Sequence, residues 1–556
     1  MMAARPAPSG TARLFLYWNT LRFLAPAQFL WRLRRRLVPA HPRTVAGVSA
    51  AAPPRAWVRP CQRRTEWVSA NAWSCHGVTW TVSSGSPWMP QGIPDLELYH
   101  LHYLDQLCSA AVLDKPATGT WLAEAWRADN FLVPRVAWQP YPLSRRIQNI
   151  CKWRFAGGDW SAGLLASVAS QADLLGRTIE YDLRGNHLIA NGVALLLAGT
   201  AMDGPAARGW RLQGIRILVR EAERQVLGDG GHYERSPMYH AVVLEDLLDA
   251  INAVGGIRAT AAAPLVPVAQ RMFAWLDAMT LPGGRIALFN DAATDGCSSP
   301  AALREYASRL GLELLPAGAS NSSSHMPDSG YFRAAIGPWT LIAAVGSVGP
   351  DEQAGHAHAD TFSFELAVAG RCLIVDPGTS TYVPDEMRAA ERGTRAHNSV
   401  FVDGADSTEV WGSFRTARRA CVSSAWAQIG AQEIAFGGRH DGYARMRPPV
   451  WHTRRWSVTA DRIEIIDVIE GVGEHDVEIG FLLAPDASVV DESEVGFALS
   501  VGSTAVRLSL PPGLHSAVRP AHWAPRFGCP TPSLRLVGFT RSALPVTFRS
   551  TILFVR

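Results

Sequence analysis

Lysine is nearly missing from this chain. Only Lys115 and Lys152 occur, so 51 of the 53 basic side chains are arginine. The arginine fork suits carboxylates and sulfates, but a G+C-rich genome enriches arginine for no chemical reason, so the bias assigns no ligand. A strong charge of one sign is also absent: the net charge is +4 over 556 residues. No long basic run or RNA-binding motif points to nucleic acid. The eight cysteines (61, 75, 108, 151, 297, 372, 421 and 529) include no CxxC pair, which argues against a thiolate zinc site or a small disulfide scaffold. No stretch reaches the ~18–20 uninterrupted apolar residues of a membrane-spanning helix, and no fixed period marks a recognised repeat.

What is present supports a large folded protein. Single cores stop growing near ~250–300 residues, so 556 residues imply two large domains. Apolar residues at 47% and charged residues at 18% exclude a disordered tail or a coiled coil. Residues 14–37 (LFLYWNTLRFLAPAQFLWRLRRRL) are apolar, aromatic and basic together. No small-residue cleavage site of secretory type follows them. The segment reads as a helix docked on the protein or as a basic amphipathic helix lying on a membrane surface. The compartment stays open between cytosol and inner membrane.

Three regions follow from patterning. Residues 1–95 combine that segment with a Pro/Ser/Trp-rich irregular stretch with short strands. Residues 96–320 carry apolar side chains at three- and four-residue spacing, as in 96–107, 164–181, 187–202, 212–226, 242–254 and 266–279, which predicts an α/α solenoid or toroid. Residues 321–556 change to period two, as in 339–345, 362–368, 372–375, 455–459, 463–468, 477–483 and 546–555, which predicts an antiparallel β-sandwich or stack of sheets.

Four clusters carry useful chemistry. In GHAHADTFSFELAVAGRCLIVDPGTSTY, from Gly355, and the following RAHNSVFVDG, His356 and His358 would point the same way on a strand, with Asp376 and His397 ending or preceding others. Two histidines and an aspartate converging there can bind Zn²⁺ and leave a position for water, or they are hydrogen-bonded histidines. RGNHLIAN places Asn186 and His187 at a helix start, where Asn186 can act as a cap. DGGHYERSPMYH leads Tyr239 and His240 into the next helix. WQPYPLSRR, with Trp138, Tyr141 and Arg146, joins rings that stack on sugars to forks that hold carboxylates.

Together these stretches, with LYHLHYLDQL, RIALFND and HDGY, resemble the heparinase II/III family of polysaccharide lyases in order, from about residue 98 to 443. The resemblance implies an incomplete (α/α) toroid followed by an antiparallel β-sandwich, and lyase action on a uronic-acid polysaccharide: glycosaminoglycan-like, alginate or a bacterial exopolysaccharide. It also implies site residues. Tyr239 matches the catalytic tyrosine, His356 the catalytic histidine of the β domain, and His187 or Asn186 the group that meets the substrate carboxylate or helps as base. His358, Asp376 and His397 match zinc ligands, the zinc being structural. Some relatives have a glutamate where Ala190 stands here, so carboxylate neutralisation falls to Asn186, His187, Arg146, Arg184 or Arg235. Trp138, Tyr141 and His240 complete the expected sugar contacts. A non-catalytic carbohydrate-binding or assembly protein is the alternative, and a glycoside hydrolase would need two carboxylates from Asp229, Glu234 and Asp291.

Overall fold

The computed structural model describes residues 10–62, 66–69, 72–75, 78–81, 88, 94–129, 136–314, 322–493 and 496–555. Much of the irregular stretch expected within 40–95 lies outside them. Thirteen helices occur among the described residues. Two precede the toroid, α1 (Gly10–Leu21) and α2 (Pro26–Leu37). The helical region then runs through α3 (Asp95–Tyr103), α4 (Ala110–Asp114), α5 (Thr120–Asp129), α6 (Pro140–Phe155), α7 (Ala162–Arg177), α8 (Asn186–Ala201), α9 (Pro205–Gln225), α10 (Pro237–Ala253), α11 (Val266–Ala278) and α12 (Pro300–Arg309). The last, α13 (Glu386–Arg392), belongs to the strand-rich half.

Helix α8 is the buried centre of the helical half. Its sequence NHLIANGVALLLAGTA is apolar on every side, and a helix of that kind must be buried all round. It packs against α6, α9 and α10, and Ala190, Val193, Leu195 and Leu197 are wholly buried. The helix starts are set locally. Pro140 and Pro237 stand in first turns, where the missing N–H costs nothing. The Ser236 hydroxyl accepts from the Tyr239 N–H at 3.2 Å.

After Arg309 the chain becomes antiparallel sheet. Five strands order as Arg371–Ile374, Phe364–Val368, Trp339–Ala344, Tyr331–Ile336 and Ser324–Met326. A four-stranded sheet and an eight-stranded sheet stack with it, and the final strand Val546–Val555 inserts between Arg462–Glu470 and Thr504–Ser509. Their facing sides share one core of alternating apolar residues, including Phe364, Phe436, Trp456 and Phe481. The two halves are tied by polar contacts. Asp229 accepts from the N–H of Ser329 at 2.7 Å, the Trp275 indole donates to the Ser329 hydroxyl at 2.8 Å, and the Tyr331 hydroxyl donates to the Arg235 carbonyl at 2.6 Å.

Candidate active site

Three helix starts meet at one end of the toroid: α6 brings Tyr141, α8 brings Asn186 and His187, and α10 brings Tyr239. Their first-turn N–H groups and aligned dipoles favour negative charge at that end. From the strand-rich half, a loop brings His356 onto the Tyr239 ring, with centroids 3.9 Å apart and planes at 30°. The Tyr239 hydroxyl lies 3.1 Å from that of Tyr382. A cavity of about 100 Å³ is walled by Tyr141, Arg145, Tyr239, Tyr382, His100 and Phe527. Ligand sites usually hold roughly 300–1,000 Å³, so a ligand of ordinary size requires these walls to part.

Asp291 organises the region beneath. Its Oδ2 takes the Nδ1–H of His356 at 2.9 Å, and its Oδ1 bonds Nε2 of His358 at 2.8 Å. The Arg388 guanidinium donates to both oxygens. Burial opposes the Asp291 charge, but Arg388 and the two histidines outweigh it and hold the carboxyl well below its usual range. With its Nδ1 side engaged, His356 keeps Nε2 for chemistry, 3.8 Å from Glu234 Oε2. The expectation that His356 and His358 share a strand is corrected: both lie in a loop, and they converge by gripping opposite oxygens of Asp291.

Asn186 is not the cap. Gly185 takes the cap position at φ +60°, and a Cβ there would stand 2.0 Å from Glu234 Oε1. Asn186 is fully buried, and its amide donates to both oxygens of Glu234 at 3.2 and 3.1 Å. Its donors are therefore engaged. The His187 ring lies tilted against Tyr141, with centroids 4.3 Å apart and planes at 36°, and its Nδ1 is 3.2 Å from Glu180 Oε1. Burial resists a charge on this ring, but the Glu180 carboxylate wins and raises its pKa above the ordinary value.

His187 carries the charge that would attract an anionic ligand only below that raised pKa. Activity should therefore fall as pH rises through it. Glu180→Gln removes the raising cause, so the alkaline limb of kcat/KM should move to lower pH. An unmoved limb would take His187 out of this role.

The three arginines expected at the sugar face elsewhere. Arg146 is wholly buried, donates to Gln171 Oε1 at 2.9 Å and the His102 carbonyl at 3.1 Å, and lies 3.9 Å from the Trp126 ring. Its neighbour Arg145 lines the cavity instead, donating to the Tyr141 hydroxyl at 3.0 Å and to Asp246 at 2.7 Å. One residue along a helix turns the side chain by about 100°. Arg184 pairs with Glu352 at 3.0 Å and Arg235 donates to the Ser347 carbonyl, so both clamp the two halves together. His240 is a core residue: it stacks on Trp275 at 4.4 Å, bonds the Met272 carbonyl at 2.9 Å, and burial pushes its pKa down to about 3. Trp138 opens on a different, larger groove of about 860 Å³ between α2 and α6–α7. That groove is bigger but is lined by none of Tyr239, His356 and His187, and its Arg43 and Arg177 both pair with Asp173.

The three expected zinc ligands are neighbours without forming a shell. Asp376 Oδ2 is engaged by His397 Nδ1 at 2.9 Å, and His358 Nε2 is engaged by Asp291. Among the described residues no group of three or more His, Cys, Asp or Glu side chains is set to hold a metal ion. Two observations still fit one. The rings of His358 and His397 stand 5.4 Å apart, and His358 Nδ1 and His397 Nε2 are buried with no hydrogen-bond partner.

This arrangement has counterparts. A profile of the heparinase II/III N-terminus matches residues 99–311, and one of the heparinase II/III-like C-terminal domain matches residues 318–547. The chain belongs to the heparinase II/III family. A heparin-sulfate lyase of Pedobacter heparinus is 25% identical over 304 residues, 48% of this chain and 44% of that protein. The FtsZ-localized protein C of Caulobacter vibrioides is 26% identical over 363 residues, 63% of this chain and 58% of that protein. The chain thus spans about half the length of the curated relatives it matches. The crystal structure of heparinase III superposes with a TM-score of 0.68 at 17% identity, covering 85% of this chain and 80% of that one. That likeness bears out the toroid-plus-sheet fold.

Within this heparinase II/III chain, sequence reasoning missed Arg145, Glu180, Tyr382 and Arg388, and weighed Asp291 and Glu234 only as hydrolytic carboxylates. Tyr382 and Asp291 stood inside stretches already quoted. Arg388, in EMRAAER, gave no local signal.

Proposed function

We propose that this protein is a lyase that cleaves a uronic-acid-containing polysaccharide by β-elimination. The observation that carries the reading is the Tyr239–His356 stack, a phenol and an imidazole from opposite halves of the molecule at 3.9 Å. In the reaction a base takes the C5 proton, the C4–O4 bond breaks, a C4=C5 double bond forms, and an acid protonates the departing oxygen. Burial, then Tyr382 and Asp291, push the Tyr239 phenol well above its ordinary pKa, so it enters as a proton donor and suits O4. His356, oriented by Asp291, takes the C5 proton on Nε2. Negative charge grows on the uronate carboxylate as that proton leaves. Arg145 and protonated His187, on the wall that carries Tyr141, offset it in place of the glutamate absent at Ala190.

A purely binding protein needs no such pair. Hydrolysis is disfavoured as well: Asp229 is tied to Ser329, Glu234 to Asn186 and Asp291 to Arg388. Relatives named as heparin-sulfate lyases make a glycosaminoglycan-like chain the first substrate to try. Purified protein incubated with heparan sulfate, hyaluronan, chondroitin and alginate should generate the far-ultraviolet absorbance of an unsaturated uronate with at least one of them. New reducing ends without that absorbance, or no product from any of the four, would overturn the proposal.

Zinc remains part of the proposal. His358, Asp376 and His397 would hold it, and it would act as a structural cross-link behind the loop that carries His356. Burial pushes the His358 pKa down to about 3, which favours the neutral ring a ligand needs. At His397 burial is outweighed by Asp376, which raises the pKa, so that ring would have to give up its proton to the metal. Metal analysis of purified protein should find zinc, and chelation should lower the thermal midpoint. Metal-free protein with an unchanged midpoint would remove the assignment.

A further inference from the structure

The first 65 residues contain twelve arginines and neither aspartate nor glutamate, whereas the rest of the chain carries 41 basic against 49 acidic side chains. This cationic segment builds α1 and α2, and each helix is fastened along one face. On α1 the Tyr17 ring meets Trp411 at 4.8 Å, and the Thr20 hydroxyl accepts from the Trp411 indole at 3.1 Å. On α2, Gln28 donates to the carbonyls of Asp182 and Glu352 at 3.1 Å each, Trp31 meets Tyr181 at 4.8 Å, and Arg35 pairs with Asp182 at 2.8 Å.

The opposite faces, turned away from the protein, are apolar. Leu14 is 71% exposed, Trp18 67%, Leu30 67% and Leu37 70%, with Phe15 and Leu33 beside them. Leu14, Trp18 and Leu21 recur at helical spacing on α1, as do Leu30, Leu33 and Leu37 on α2, so each set forms a stripe. Soluble surfaces rarely leave large apolar side chains grouped in this way. Arg13, Arg22, Arg34 and Arg36 are exposed beside the stripes and form no ion pair among the described residues.

We infer that α1 and α2 together form a docking face for the surface of an anionic lipid bilayer. Such a surface offers what the face lacks, hydrocarbon for the leucines and aromatic rings and phosphate oxygens for the arginines, at the same depth. Long arginine side chains can lie along the apolar stripe and keep their charged ends at the headgroups. A second copy of the chain fits poorly. A two-fold interface would set this arginine cluster against its own image, with no acid in the segment to relieve the repulsion. No helix among the described residues is long and apolar enough to cross a membrane, so contact would be at the surface. Because α2 rests on the loop through Tyr181 and Asp182, beside Glu180, docking would hold the toroid end that carries His187 close to the bilayer.

The test is co-sedimentation of the full chain with vesicles of phosphatidylcholine alone and of phosphatidylcholine mixed with phosphatidylglycerol. The wild-type protein should bind the anionic vesicles roughly tenfold or more tightly than the neutral ones, and added salt should weaken that binding. The double variant Leu30→Asp/Leu33→Asp should lose roughly tenfold or more of the affinity with an unchanged thermal midpoint, since both side chains already face solvent. Absence of binding, equal binding to both vesicle types, or full binding by the variant would overturn the inference. So would a dimer in light scattering that the variant dissociates, because the face would then belong to a second copy.

Discussion

Tyr239→Phe is expected to lower kcat by about 10²–10⁴-fold, the range that positioned acid–base groups contribute. The substitution leaves the ring stacked on His356 and removes only the hydroxyl, which hydrogen-bonds the Tyr382 hydroxyl at 3.1 Å. Losing that hydrogen bond costs about 0.5–1.5 kcal/mol. The thermal midpoint should therefore scarcely move while the unsaturated product disappears. The separation of the two readouts is the point of the experiment, since a ring that merely packs the interface would lower both together or neither. Wild-type turnover in the variant would dismiss Tyr239 as the proton donor and with it the chemical reading of the stack.

Asp291→Asn should do the reverse and damage stability and catalysis together. Arg388 is wholly buried, and the Asp291 carboxylate is its ion-pair partner. Removing one member of a buried pair costs about 3–5 kcal/mol, because the remaining charge stays out of water. The asparagine also presents an NH₂ group to a site that now receives N–H donors from Arg388 and His356. His356 would lose the acceptor that fixes its tautomer, so kcat should fall further than loss of folded protein explains. The pair Asp291→Leu/Arg388→Met should be less destabilised than Asp291→Asn alone, since it leaves no buried charge unmatched. An Asp291→Asn protein with the wild-type midpoint and wild-type kcat would show that the carboxylate does not organise this site.

The two predictions locate what could be read in advance. Tyr239 and His356 sat in dense local motifs, and the structure brings their rings together. The WQPYPLSRR stretch was expected to face a sugar through Arg146, but it is Arg145 that reaches the cavity. Arg145 and Arg146 are equivalent in composition, and only the rotation of α6 against α8 and α10 sends one to the cavity and the other under Trp126. His240 was misplaced for the same reason: it follows Tyr239 directly and turns inward onto Trp275. The shared strand for His356 and His358 failed because a loop can achieve with one carboxylate what the pleat achieves by alternation.

Periodicity is a property of neighbours along the chain, so the sequence by itself determined the succession of a helical half and a sheet-rich half. It also led to the expectation that Tyr239 and His356 lie in the stretches that meet, and the structure puts their rings 3.9 Å apart. Tertiary structure alone decided which partners each charge keeps. Asp291 collects His356, His358 and Arg388 from segments 65 to 97 positions away, and Glu180 meets His187 across a helix start. Those contacts depend on how the halves dock, and the long-range electrostatics that tune the site have no signature in local spacing.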